Sequence, residues 1–166
     1  MANTRRSRII AIAVGSALAF AVGLTWATPG SGTQSMLLGR ATFAEAFKVK
    51  RKAPPIDWEV EVEAKPALDV AVAMVTFQPG GHSGWHSHPG PVFISVVAGE
   101  MTFYEADDPS CAPVVRHAGQ GFLDTGKHAH IARNETTAPA TNVVTYFVPP
   151  GSALRTDAPN PGNCPF

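Results

Sequence analysis

From residue 57 onward the chain is written in short runs of period two, each closed by glycine or proline, and that pattern leaves little room for helix. Trp58, Val60 and Val62 alternate with Asp57, Glu59, Glu61 and Glu63. Alternation sends apolar groups to one face and carboxylates to the other, as on a half-exposed strand. Residues 68–77 are apolar at both parities, which predicts an interior strand, and Gln78, Pro79, Gly80 and Gly81 close it. Residues 92–97 form a second apolar run, Ala98, Gly99 and Glu100 a turn, and residues 101–105 the returning strand. Asp107, Asp108 and Pro109 break it. Residues 114–117 and 121–123 are short strand candidates, and 142–148 are a last buried strand ended by Pro149, Pro150 and Gly151. About eight short strands at this spacing make a β-sandwich or barrel. The 15 glycines and 15 prolines suit such a fold and exclude a helical bundle.

Upstream the pattern is weaker. Residues 28–39 read as a flexible spacer. Phe43 and Phe47 lie four apart, as on one helical turn, but Pro54 and Pro55 stop any such run. Residues 28–55 are therefore assigned to a spacer and N-terminal arm, 56–150 to the barrel and 151–166 to an irregular tail. The 166-residue length allows one domain.

Arg5, Arg6 and Arg8 precede an uncharged stretch that runs to Arg40, with an apolar centre over residues 9–24. A basic start, an apolar middle and a small-residue exit at Ala27 predict a secretory signal peptide over residues 1–27. An uncleaved membrane anchor and a buried helix are the alternatives. The expected location is secreted or extracytoplasmic, with membrane contact only through this segment if it is retained.

Lys plus Arg and Asp plus Glu are 13 each, so the formal net charge is zero. Without residues 1–27, three arginines go and the balance turns acidic. Nucleic acid is excluded as a partner on this ground. An exported chain meets an oxidising compartment, where its two cysteines, Cys111 and Cys164, are expected to pair and tie the tail to a mid-chain loop. Two free thiols are the alternative.

Five of the six histidines fall in two windows. The first holds His82, His86 and His88, and the second His128 and His130. Residues two apart on a strand share a face, so each window can aim a pair of imidazoles inward. Neutral imidazole is a ligand for zinc, iron, copper and nickel.

Here the spacing resembles that of a small single-domain cupin. The first cupin motif asks for Gly, five residues, His-x-His, three or four residues, Glu, six residues and Gly. Gly80, His86, His88 and Gly99 fit, with Val92 where the Glu belongs. The second asks for Gly, five residues, Pro-x-Gly, two residues, His, three residues and Asn. Gly119, His130 and Asn134 fit, with Thr125 for the Pro and Lys127 for the Gly.

The resemblance spans roughly residues 56–150 and implies an all-β fold, a double-stranded β-helix or jelly-roll barrel. It implies one divalent transition metal (Fe, Mn, Ni, Cu or Zn) held by His86, His88 and His130, since Val92 cannot coordinate. It implies an oxygenase acting on a small organic molecule or, alternatively, a non-catalytic barrel holding a small ligand or structural metal, and it implies a homodimer. His128 shares parity with His130 and is either a further ligand, a base or a rim residue. His82 reads as a loop residue and His117 as solvated. Glu100 belongs at the rim, Asn134 on backbone, and Trp85 in the core or at the barrel mouth. Phe93, Phe103, Phe122 and Tyr146 are candidate pocket lining, with a facing that a one-residue slip inverts.

Overall fold

The computed structural model describes residues 27–65 and 67–166. The signal-or-anchor segment therefore lies outside the described residues, save Ala27. Among the described residues the fold is all-β, a nearly closed antiparallel barrel without helix.

Twelve strands follow in chain order: β1 Ser31–Phe43, β2 Phe47–Lys52, β3 Glu59–Ala64, β4 Leu68–His82, β5 His86–Ser87, β6 Val92–Ala98, β7 Glu100–Glu105, β8 Val114–His117, β9 Gly121–Asp124, β10 His130–Arg133, β11 Ala140–Val148 and β12 Thr156–Asp157. Ten belong to one sheet, with the path β12-β5-β10-β4-β11-β6-β9. β1 adds to β4, and β7 joins β10 to β8. β2 and β3 pair only with each other.

β4 is the interior strand its two-faced apolarity predicts, with β1 on one side and β11 on the other. Alternate side chains of β6 (Val92, Ile94 and Val96) turn inward and meet Phe77, Met101, Phe103 and Phe122 in the core. Phe103 and Phe122 stack with centroids 4.2 Å apart. Phe93 has the other parity: it is exposed and meets Phe147 outside the barrel, so it points away from the barrel interior.

Two upstream assignments need correction. The segment taken as a flexible spacer contains β1, a 13-residue strand. Its side chains are exposed throughout, which is why no period announces it. Its backbone bonds to the long edge of β4 from Ser31↔His82 to Phe43↔Leu68 hold it instead. Phe43 and Phe47 form no helical turn; they end β1 and begin β2, with rings 5.8 Å apart. The barrel also does not begin at residue 56. β3 belongs to a ribbon with β2, tied by cross-strand ion pairs such as Lys48–Glu61 at 2.7 Å and Lys50–Glu59 at 2.6 Å. Exposed pairs of this kind favour the register more than they stabilise the fold.

Cys111 and Cys164 form a disulfide, with Cα atoms 5.3 Å apart. Around it, Trp85, Tyr104 and Ile131 make a second apolar cluster beneath the tail. Trp85 is thus a core residue and not a feature of the barrel mouth.

Candidate metal centre

His86 opens β5 and His130 opens β10, and the two are direct cross-strand partners. His88 follows β5 by one residue and keeps the parity of His86. All three are buried. One ligand nitrogen from each lies within 4.8 Å of the other two. The ring centroids are 4.5 Å apart for His86 and His130, 4.8 Å for His86 and His88, and 5.3 Å for His88 and His130.

The backbone decides which nitrogens face inward. His86 Nδ1 lies 2.8 Å from the Gly84 carbonyl, and His88 Nδ1 lies 2.6 Å from the Leu154 carbonyl. A carbonyl only accepts, so both Nδ1 atoms carry the proton and both Nε2 atoms keep a free lone pair. This arrangement orients metal-binding histidines generally. Burial pushes the His86 pKa down to about 3, with the Arg155 charge adding. It also lowers His88, and it holds His130 well below the ordinary value, with His86 and His88 adding there. All three rings are therefore neutral, the form that binds metals.

Gly84 makes the approach to His86 possible. Its φ is 69°, and a Cβ there would sit 2.0 Å from the Thr28 carbonyl oxygen. The Thr28 hydroxyl in turn accepts the Trp85 N–H at 2.9 Å. The N-terminal arm thus braces the turn that delivers the first histidine.

The other candidates sit elsewhere. His128 is exposed and lies 3.4 Å from Asp107, at the rim and outside the triad. His82 accepts the Gly84 N–H through Nδ1 at the end of β4. His117 and Glu100 pair on the surface at 3.0 Å. Val92 is fully buried in the apolar core. Asn134 spends its side chain on backbone, donating to the Phe77 and Ala138 carbonyls at 3.1 and 2.8 Å and accepting the Thr136 N–H.

A cavity of about 140 Å³ opens against the triad, and Phe103 and Tyr146 are among its lining residues. Phe122 is buried behind Phe103. Sequence reasoning missed four polar residues of this region. Arg155 and Asn142 line the cavity, and Asn142 Oδ1 is buried without a hydrogen-bond partner. Glu105 is the cross-strand partner of His130; burial, reinforced by the Asp124 and Asp107 charges, raises its pKa to about 7. Asp124 on β9 is buried, with its Oδ2 3.4 Å from His130 Nδ1. The Asn142 parity was readable within β11, but nothing local marks the other three as neighbours of the histidines.

The donor set suits a transition metal. Two inward Nε2 lone pairs lack a protonated partner, and His130 Nδ1 is buried without a hydrogen bond. Three neutral imidazoles whose donor atoms lie within 4.8 Å of one another fit a single transition-metal ion.

Residues 73–146 match the family model described as a cupin domain. No curated protein matches the chain. Solved structures similar to it include a cupin superfamily protein from Desulfitobacterium hafniense, 10% identical over 70% of this chain and 78% of that one, with a TM-score of 0.47. A DMSP lyase from Ruegeria pomeroyi is 20% identical over 52% of this chain and 42% of its own, with a TM-score of 0.45. An oxalate decarboxylase mutant from Bacillus subtilis is 18% identical over 53% of this chain and 23% of its own, with a TM-score of 0.46. The chain spans less than half the length of either enzyme. The matched residues run from β4 to β11 and contain all three clustered histidines, so the chain carries a domain of the cupin superfamily.

Proposed function

We propose that this protein is an exported metal-binding cupin whose His86, His88 and His130 hold one divalent ion beside a cavity for a small organic molecule. The observation that carries the reading is the fixed tautomer of His86 and His88: backbone carbonyls take both Nδ1 protons, and both Nε2 atoms are left facing the cluster. Iron, manganese, nickel, copper and zinc are all compatible with imidazole donors. A bound iron or manganese supplies Lewis acidity and one-electron redox chemistry, and on that basis the reaction we favour is oxygenation of a small substrate.

The chain's own residues shape what enters. Arg155 brings positive charge to the cavity, and Asn142 Oδ1 offers an unused acceptor. Tyr146 packs edge-on against His88, with centroids 5.4 Å apart, and limits the space beside it. A closed site of four histidines would favour a structural ion, but His128 lies at the rim. An open site supports turnover over static binding. Export is supported by the basic and apolar start of the chain and by the disulfide. A homodimer is supported by the exposed Met36, Leu37 and Leu38 on β1.

The test is the metal content of the purified protein, made in an oxidising compartment, beside the His86→Ala/His88→Ala double variant. About one equivalent of a transition metal is expected in the parent and none in the variant. Absence of metal from the parent after reloading refutes the reading.

A further inference from the structure

The tail, which lies outside the matched residues 73–146, builds part of the cavity beside the histidines. Cys164 ties this tail to Cys111, and β12 pairs with β5, with Thr156 opposite Ser87 and Asp157 opposite His86. The tail thereby runs alongside the first two histidines. The Leu154 carbonyl orients His88, and the next residue, Arg155, lines the cavity. With the histidines neutral, Arg155 is the one charged side chain in that lining, and among the described residues no Asp or Glu lines it. The other polar groups there, the Asn142 amide and four hydroxyls, are uncharged. Phe77, Ile94 and Phe103 are buried and belong to its apolar part. Nε and Nη2 of Arg155 donate to the Asp157 carboxylate, and Nη2 donates also to the Ser83 carbonyl at 3.1 Å. Among the described residues no hydrogen bond uses Nη1, so two of the five guanidinium N–H groups are unspent. Asp157 is half-exposed and outside the lining, so solvent screens that ion pair while the cavity keeps the cation.

We propose that this cavity takes a small organic monocarboxylate and that Arg155 binds its carboxylate group. The proposal rests on the reading of the cavity as the site for a small organic molecule and deepens it. An ionised carboxylate only accepts hydrogen bonds, and guanidinium N–H groups are its strongest partners. With no opposing acid in the lining, the cavity favours an anion before any metal is bound. A divalent ion on the histidines adds to the same preference. One guanidinium beside apolar walls suits one carboxylate and a short hydrocarbon remainder. A second carboxylate would find no second cation among the protein's own groups and would meet buried phenylalanines instead. The volume of about 140 Å³ is well below the roughly 300–1,000 Å³ of pockets for drug-sized ligands, so the remainder is a few carbons long.

Butyrate is the probe and butyramide its uncharged counterpart, each titrated into the full chain and followed by NMR chemical shifts. The titrations are run on metal-free protein and again after exposure to cobalt(II), with bound cobalt measured in the same samples. The parent, Arg155→Gln and Asp157→Asn are compared, with circular dichroism as the folding control. The parent is expected to bind butyrate in preference to butyramide. Arg155→Gln is expected to bind butyrate roughly 10- to 100-fold more weakly. Asp157→Asn is expected to bind it at least as tightly as the parent, because it removes a competing carboxylate. Equal affinity of the parent and Arg155→Gln overturns the proposal, and so does equal binding of butyrate and butyramide. Equal losses in Arg155→Gln and Asp157→Asn also overturn it, since Arg155 then acts only through its ion pair. Cobalt uptake without butyrate binding overturns the proposal and leaves the three-histidine site standing. Butyrate binding that needs Arg155, in protein that takes up no cobalt, supports the anion site and refutes the metal reading. Absence of both overturns the two together.

Discussion

Two glycines with the same backbone angle separate conformational cost from steric cost. Gly80 and Gly84 have φ of 72° and 69°. Either becomes strained as alanine, because a Cβ in the left-handed region costs roughly 1–2 kcal/mol. At Gly80 a new Cβ meets nothing within 4 Å, so that term is the whole effect. At Gly84 the Cβ falls 2.0 Å from the Thr28 carbonyl oxygen and 2.8 Å from the Pro29 carbonyl carbon. The arm must therefore move away. Moving it breaks the bond from Trp85 N to the Thr28 hydroxyl and the one from Thr28 N to the Ala158 carbonyl. Each is worth about 1 kcal/mol net. Gly84→Ala is thus expected to destabilise by about 3–4 kcal/mol and Gly80→Ala by about 1–2. Urea denaturation of both variants at constant pH gives the two values. Metal affinity is a second readout, because the Gly84 carbonyl orients His86; it should fall in Gly84→Ala and hold in Gly80→Ala. Equal destabilisation by the two substitutions would refute the steric argument.

Asp69 accepts the Thr42 hydroxyl, the Gly151 N–H and the Arg40 guanidinium, and these hold its pKa down to about 2 from 3.8. A carboxylate whose folded pKa is depressed adds stability above its unfolded pKa and loses it as pH falls toward the folded one. Wild type should therefore exceed Asp69→Asn in stability at neutral pH, and chemical denaturation should show the gap closing between pH 3.8 and about 2; a gap independent of pH would count against the assignment. The disulfide closes a separation of 53 residues, so Cys111→Ser/Cys164→Ser should lose about 4 kcal/mol. Equal melting of the parent with and without reductant would show that the bridge does not constrain the unfolded chain.

The legible part of this protein was local. Apolar runs closed by glycine or proline announced β4, β6, β7 and β11, because a short apolar run between turn residues reads as a buried strand. Strand parity placed His86 and His88 on one face, and the motif spacing added His130. The asparagine that closes the second motif was readable too, since a buried side-chain amide must find backbone partners. β1 was hidden because an exposed edge strand needs no apolar period, only a neighbour's free backbone groups. The β2–β3 ribbon looked like the start of the barrel because Val60 and Val62 alternate with glutamates, although both valines are exposed.

What only the tertiary structure decided is which strands lie side by side. The chain by itself determined that strands form, where they turn and which histidines share a face. It could not place Asp124 next to Val92, 32 positions away, or set Arg155 and Asn142 in the lining of one cavity. Those neighbours are made by hydrogen bonds between strands distant in sequence, and no local pattern of side chains encodes them. The buried carboxyl group of Asp124, 3.4 Å from His130 Nδ1, is one such neighbour.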